Sequence, residues 1–99
     1  MRYFDDLEEA VSFSNALPSF DVFEAYGEAN TVDGYLEEIQ WYADIEEVET
    51  DDAILYGIVF LRKYSTCGRT QGCFWTEPSF YEFNSLEEML ADYKAHKEA

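Results

Sequence analysis

The stretch AILYGIVFLRKY at Ala53–Tyr64 is the strongest β-strand signal in the chain. Between Ile54 and Leu61 the residues are almost all β-branched, aromatic or aliphatic, a composition that favours an extended backbone. A run without polar interruptions is typical of a strand that is buried on both faces. We therefore predict the central strand of a sheet here. The apolar part spans residues 53–61, well short of the ~20 residues that a membrane-spanning helix needs.

The preceding segment, Tyr35–Val48, is compatible with a strand or a helix. As a strand it places apolar side chains on one face and mostly polar side chains on the other, namely Ile39, Trp41, Ala43 and Ile45 against Glu38, Gln40, Asp44 and Glu46. Tyr42 breaks the pattern on the polar face, whereas Trp41 points to the core. As a helix, only Leu36, Ile39 and Ala43 share a face. The alternation favours the strand, and Asp33–Gly34 predicts a turn before it.

A helix is predicted near each end of the chain. Ser85 with Glu88 forms a capping box, and Asp6 with Glu9 is its acidic counterpart. Apolar residues follow each cap at helical spacing, and Pro18 ends the first helix. We expect helices at about 6–16 and 85–96.

The remaining strands are predicted at Ser19–Tyr26, at Gly72–Thr76 and, after Pro78, at Phe80–Phe83, with a hairpin loop at residues 66–72. The order of elements is β-α-β-β-β-β-α. The fold class is therefore α+β. Residues 1–99 form a single small domain with an antiparallel sheet of four to five strands, and both helices pack on one face.

The charge of the chain is strongly negative. It holds 22 Asp and Glu against 6 Lys and Arg, for a net charge of -16, and residues 1–52 contain 16 of the acids with one base. Such a surface disfavours direct binding to nucleic acid or to an anionic membrane, because both require Lys and Arg. The aromatic content of 18% excludes a disordered acidic tail.

The acidic residues suggest a row of carboxylates that stands in for phosphates. Side chains two residues apart on a strand are ~6.6 Å apart, and the axial rise in a nucleic-acid strand is ~3.4 Å per nucleotide. A basic partner would recognise such a row. The predicted partner-binding residues are Glu24, Glu28, Glu37, Glu38, Tyr42, Asp44, Glu46, Glu47, Glu49, Asp51 and Asp52. Tyr42 is a candidate aromatic anchor.

Three functions fit this surface. The first is an inhibitor that binds the basic nucleic-acid groove of a nuclease or another host-defence protein. The second is an immunity or antitoxin-type protein for a cognate basic toxin. The third is an acidic scaffold module, although a net charge of magnitude ~2–8 is enough for solubility. In size, charge and α+β plan the chain resembles the small acidic anti-restriction, anti-CRISPR and uracil-DNA glycosylase inhibitors of phages and mobile elements, a likeness that assigns no residue.

Catalytic, metal and cofactor sites are not indicated. The spacing of Cys67 and Cys73 does not match a zinc pair, and two unlinked thiols are favoured over a hairpin disulfide. His96 lies among lysines at a helix end, where a cation is favourable. The N-terminus lacks a signal-peptide pattern, so we expect a cytoplasmic protein. The resemblance to phage inhibitors implies a phage-encoded protein that acts in the host cytoplasm. It is a monomer, or a homodimer formed through the edge strand Ser19–Tyr26.

Overall fold

The computed structural model describes residues 2–27, 34–68 and 75–98. It contains five strands and two helices in the predicted order, which confirms the α+β class. The elements are β1 (Tyr3–Phe4), α1 (Leu7–Asn15), β2 (Phe20–Tyr26), β3 (Tyr35–Glu49), β4 (Ile54–Gly68), β5 (Ser79–Phe83) and α2 (Leu86–Glu98). Every strand pair is antiparallel. The ambiguous segment is thus a strand.

β3 and β4 form the long axis of the sheet. They pair over all 15 residues of each strand, from Tyr35 opposite Gly68 to Glu49 opposite Ile54. β2 pairs with the first half of β3, from Tyr35 to Trp41. On the other side of β4, β1 pairs near Tyr56 and β5 pairs further along the same edge. β4 is therefore the central strand, as predicted, and β2 lies at an edge.

The length of these two strands makes the molecule slender. Fifteen residues of antiparallel strand extend ~50 Å, and the principal extents are 56 × 29 × 19 Å. The radius of gyration is 17.0 Å, whereas a compact domain of about 100 residues has ~13 Å. The protein therefore presents an extended surface for its size.

Both helices lie on one face of the sheet, as predicted. Met89 of α2 is fully buried against Ile39 and Trp41 of β3 and Phe83 of β5. α1 packs on the same face at the other end, where the Phe13 ring lies 5.3 Å from that of Phe4. We call this side the helix-bearing face. The opposite side, which no helix in the described part of the chain covers, is the helix-free face.

Asp92 joins α2 to the sheet. Its carboxylate accepts a hydrogen bond from Trp41 Nε1 at 2.8 Å and forms an ion pair with Arg62 at 2.8 Å. Burial acts to raise the pKa of Asp92, but the hydrogen bonds from Trp41 and Arg62 outweigh it and hold the pKa below its ordinary value. Beside this contact, the ring of Tyr93 stacks on Phe20 at 3.8 Å.

The predicted helix caps are present. The side chain of Asp6 accepts a hydrogen bond from the backbone N–H of Glu8 at 3.1 Å. At α2, Ser85 Oγ accepts from the N–H of Glu88, and the Glu88 carboxylate accepts from the N–H of Asn84. These bonds satisfy N–H groups that the first helical turn leaves without partners.

The structure corrects one prediction about the strands, and most of another lies outside the described residues. β4 continues to Gly68, so Thr66–Gly68 belong to a strand and not to the predicted loop, because β3 pairs with them along the whole length. Most of the predicted strand Gly72–Thr76 lies outside the described residues; within it, Trp75 bridges Cys67. Near its middle β4 is buried on both faces, as predicted, since Ile58 on the helix-bearing face is 2% exposed and Val59 on the helix-free face is 8% exposed.

Candidate protein-binding surface

One end of the molecule is densely acidic. The turn between β3 and β4 lies there, and the pairing of Phe4 with Tyr56 brings β1 and the start of α1 to the same end. We define residues 2–17 and 44–59 as the acidic end. Its ten acids are all exposed: Asp5, Asp6, Glu8, Glu9, Asp44, Glu46, Glu47, Glu49, Asp51 and Asp52.

The acidic end contains a single base, Arg2. Its guanidinium group lies over the rings of Phe4 and Phe13, at 5.1 and 4.7 Å from their centroids. The ion pair between Arg62 and Asp92 is the one found among the residues that the structure describes, and it lies outside this end. The ten carboxylates are therefore not neutralised by ion pairs with other described residues, and their negative potential extends into solvent.

The pleat of β3 divides the predicted partner-binding residues between two faces. Glu38, Tyr42, Asp44 and Glu46 lie on the helix-free face, opposite Ser65, Leu61, Val59 and Gly57 of β4. This is the arrangement that the alternation predicts. Glu37, Glu47 and Glu49 lie on the helix-bearing face, as does Glu24, which pairs with Glu37. Asp51 and Asp52 lie in the turn, and Glu28 is outside the described residues.

Two of the predicted acids lie far from the acidic end. Glu37 is ten residues from Glu47 along β3, or ~34 Å. Its carboxylate accepts hydrogen bonds from Tyr64 at 2.9 Å and from Tyr26 at 3.4 Å, and Tyr26 also bonds to Glu24. The hydrogen bond to Glu24 is the main cause that raises the pKa of Tyr26, and the bond to Glu37 does the same for Tyr64. These acids form a local tyrosine–carboxylate cluster, separate from the acidic end.

Glu38 also belongs to a separate cluster. It lies on the helix-free face near Asp21 of β2 and Lys63 of β4. Burial is the main cause that raises the pKa of Glu38; the charge and hydrogen bond of Asp21 add to it, while Lys63 opposes it. Glu38 therefore holds its proton at a higher pH than an ordinary glutamate.

Tyr42 and Trp41 have different environments, as predicted. Trp41 is 1% exposed and belongs to the core under α2. Tyr42 is half-buried on the helix-free face, where burial and then the charge of Asp44 raise its pKa. Of these two aromatic residues, Tyr42 is the one that a partner can reach.

Cys67 and His96 lie away from the acidic end. Cys67 is fully buried and disulfide-bonded, which contradicts the expectation of unlinked thiols; Cys73 is outside the described residues. Residues 67 and 75 are adjacent across the bridge, so the chain returns close to Cys67. His96 lies in α2 with its ring 5.4 Å from that of Trp41. Within residues 2–27, 34–68 and 75–98, no group of His, Cys, Asp and Glu is arranged to hold a metal ion.

Sequence reasoning missed an apolar row beside the acids. Leu55, Val59 and Leu61 lie on the helix-free face of β4, with Tyr3 of β1 next to them. Because the run Ala53–Tyr64 predicts a strand that is buried on both faces, all three side chains are expected in the core. Val59 is buried as expected, at 8% exposed, whereas Leu55 and Leu61 are only half-buried. The available signal was the number of helices: two short helices can cover one face of a five-stranded sheet but not both.

Comparison with protein-family models, curated proteins and solved structures finds no match for this chain. Among the residues that the structure describes, neither helix is long and apolar enough to cross a membrane. The functional interpretation therefore depends on the surface itself.

Proposed function

We propose that this protein is a small acidic inhibitor that binds the basic nucleic-acid groove of a nuclease or another nucleic-acid-binding enzyme. Its mode of action is steric and electrostatic competition, and it carries out no chemistry. The observation that supports this proposal best is the acidic end, where ten exposed carboxylates stand against one base.

The electrostatic argument concerns recognition by a basic groove. A groove that binds nucleic acid is lined with Lys and Arg and gains affinity when the charges of its ligand replace counterions. The fold fixes the backbone positions of these residues, so binding has to order only their side chains. Their joint potential also accelerates encounter with a basic partner.

The shape of the domain supports the same proposal. Asp44 and Glu46 are two residues apart on one face of β3, a separation of ~6.8 Å that equals two nucleotide steps of ~3.4 Å. Glu47 and Glu49 repeat this spacing on the other face. With extents of 56 × 29 × 19 Å, the protein is narrow enough for its acidic end to enter a groove.

The test is capture followed by displacement. The tagged protein is incubated with nuclease-treated lysate of the organism in which it acts, captured proteins are identified by mass spectrometry, and bound material is challenged with excess duplex DNA. We expect a nucleic-acid enzyme that DNA releases, and the purified enzyme should lose its DNA binding when the protein is added. Raising the salt concentration should weaken the complex.

A triple variant supplies the control. Asp44→Lys, Glu46→Lys and Glu47→Lys together change the charge of the acidic end by six units and alter exposed positions, so the fold should survive. We expect at least a tenfold loss of affinity, about 1.4 kcal/mol. Unchanged affinity would refute the assigned surface. A captured partner that DNA cannot displace would refute competition and favour a cognate toxin.

A further inference from the structure

The helix-free face carries two parallel rows of different chemistry. The first is acidic and lies on β3, where Asp44 and Glu46 are exposed. The second is apolar and lies on the neighbouring strand β4: Leu55 and Leu61 are half-buried, and Val59 lies between them at 8% exposure. Directly opposed residues on neighbouring strands are ~4.5–5.5 Å apart, so each row lies within one side-chain length of the other.

Aromatic and acidic side chains flank these rows. Tyr3, 49% exposed, lies beyond β4 opposite Gly57, which has no side chain to fill that position. Tyr42 lies opposite Leu61 in the acidic strand, and Glu82 of β5 lies on the far side of Leu61. The apolar row is thus bordered by carboxylates on both sides and by two tyrosines.

Exposed tyrosine beside aliphatic side chains is typical of the centre of an interface, and a charged rim is typical of its border. Among the described residues neither helix covers this apolar row, since α1 and α2 both pack on the helix-bearing face. A second copy of the chain would bring a net charge of -16 against another of -16. The charge of the rim instead favours a cationic occupant.

From this arrangement we infer that the helix-free face is the docking surface and that it takes a cationic amphipathic element of a partner protein. Apolar side chains of that element lie on Leu55, Leu61 and Tyr3, with the buried Val59 beneath them. Its Lys or Arg side chains lie against Asp44 and Glu46. The inference rests on the proposed function for the basic character of the partner. It adds that recognition needs a specific apolar contact and uses one face of β3 only.

Two pairs of neighbouring residues test the face directly. Glu46 and Glu47 are both exposed and adjacent on β3, but they lie on opposite faces, opposite Gly57 and Tyr56 of β4. Glu46→Lys and Glu47→Lys therefore change the net charge equally and differ only in the face that they affect. Leu55→Ser on the helix-free face and Ile54→Ser on the other face form the corresponding apolar pair.

The probe is a synthetic helical peptide of about 18 leucine and lysine residues with leucines at the i, i+3, i+4 spacing of one helix face. A control peptide has the same composition in an order that has no apolar face. Binding is measured by fluorescence anisotropy at low salt, and the thermal midpoint of each variant is measured in parallel so that only folded variants are compared.

We expect the amphipathic peptide to bind about tenfold more tightly than the control peptide, a difference of about 1.4 kcal/mol. Glu46→Lys and Leu55→Ser should each weaken binding of the amphipathic peptide about fivefold or more. Glu47→Lys and Ile54→Ser should leave its affinity within about twofold of the wild-type value. If Leu55→Ser does not fold, the Glu46 and Glu47 pair decides the outcome.

Three results would overturn the inference. Equal binding of the two peptides means that charge alone is recognised. Equal losses for Glu46→Lys and Glu47→Lys mean that the face is not selective; the proposed function survives this result, because both variants lower the same negative potential. A concentration-dependent dimer that Leu55→Ser abolishes, seen by light scattering, means that a second copy covers the face. Conversely, Glu46→Lys could weaken peptide binding more than Glu47→Lys while the lysate yields no partner that DNA displaces. That combination would contradict the proposed function and leave the inference about the face intact.

Discussion

Removal of the Asp92 carboxylate should destabilise the fold at a single identifiable contact. In Asp92→Ala the indole N–H of Trp41 loses its acceptor, and water cannot replace it easily because Trp41 is 1% exposed. A buried donor without a partner costs about 1–3 kcal/mol. The lost ion pair with Arg62 adds less than about 1 kcal/mol, since the two side chains are 35% and 30% exposed.

Asp92→Ala should therefore lower the free energy of unfolding by about 2–3 kcal/mol in total. For a domain of this size each kcal/mol lowers the thermal midpoint by about 4–8 °C, so the midpoint should fall by roughly 10–20 °C. The assay is urea unfolding at pH 7, followed by tryptophan fluorescence. Asp92→Asn is the matched control, because its amide oxygen can still accept from Trp41 while the charge is lost, and it should cost only about 1 kcal/mol.

The pH dependence supplies an independent check. The pKa of Asp92 is lowered in the folded protein. The ionised carboxylate therefore adds to the free energy of unfolding at pH values above the ordinary pKa of 3.8, and this stabilisation is lost as the pH falls through the lower, folded-state pKa. The difference in free energy of unfolding between wild type and Asp92→Ala should become smaller over that acidic range. Equal stability of Asp92→Ala and Asp92→Asn at pH 7 would refute the role assigned to the Trp41 hydrogen bond.

The remaining predictions concern a carboxyl pair and a backbone conformation. Glu38→Gln should stabilise the fold at pH 7 by up to about 1 kcal/mol, because it removes the negative charge held near Asp21. Since the pKa of Glu38 is raised, wild-type Glu38 favours folding in its protonated form, so this gain should disappear in urea titrations below the ordinary value of 4.5; a gain that persists there contradicts the assignment. Gly27 has a φ of 73°, so Gly27→Ala should cost about 1–2 kcal/mol in thermal unfolding. At Gly68 an added Cβ meets nothing within 4 Å, so Gly68→Ala should change the free energy of unfolding by no more than about 0.5 kcal/mol. Equal effects of the two substitutions would count against backbone strain at Gly27.

Most elements of the fold were predictable because their signals are local. The caps at Asp6 and Ser85 locate the helix starts through hydrogen bonds that lie within four residues. The alternation in Tyr35–Val48 identifies a strand because side chains on a strand alternate between faces. The extension of β4 to Gly68 was not predictable in this way, because its pairing with Tyr35 spans a sequence separation of 33 residues.

The candidate site was predictable only in part. The alternation along β3 correctly groups Asp44 and Glu46 on one face, whereas Glu47, the neighbour of Glu46 in sequence, lies on the other face. Likewise, Glu37 and Glu24 resemble the other acids in sequence but bond to tyrosines outside the acidic end, and Glu37 is ~24 Å from Asp44, where that end begins on β3.

The amino-acid sequence by itself determined the charge, the fold class and the positions of the elements, because composition, capping and periodicity act over a few residues. Only the tertiary structure decided which acids share a surface and which apolar residues stay uncovered. The physical reason is that the contact between Trp41 and Asp92 places α2 on one face of the sheet, across 51 residues of sequence. α1 packs on the same face, so Leu55 and Leu61 remain on the face without a helix.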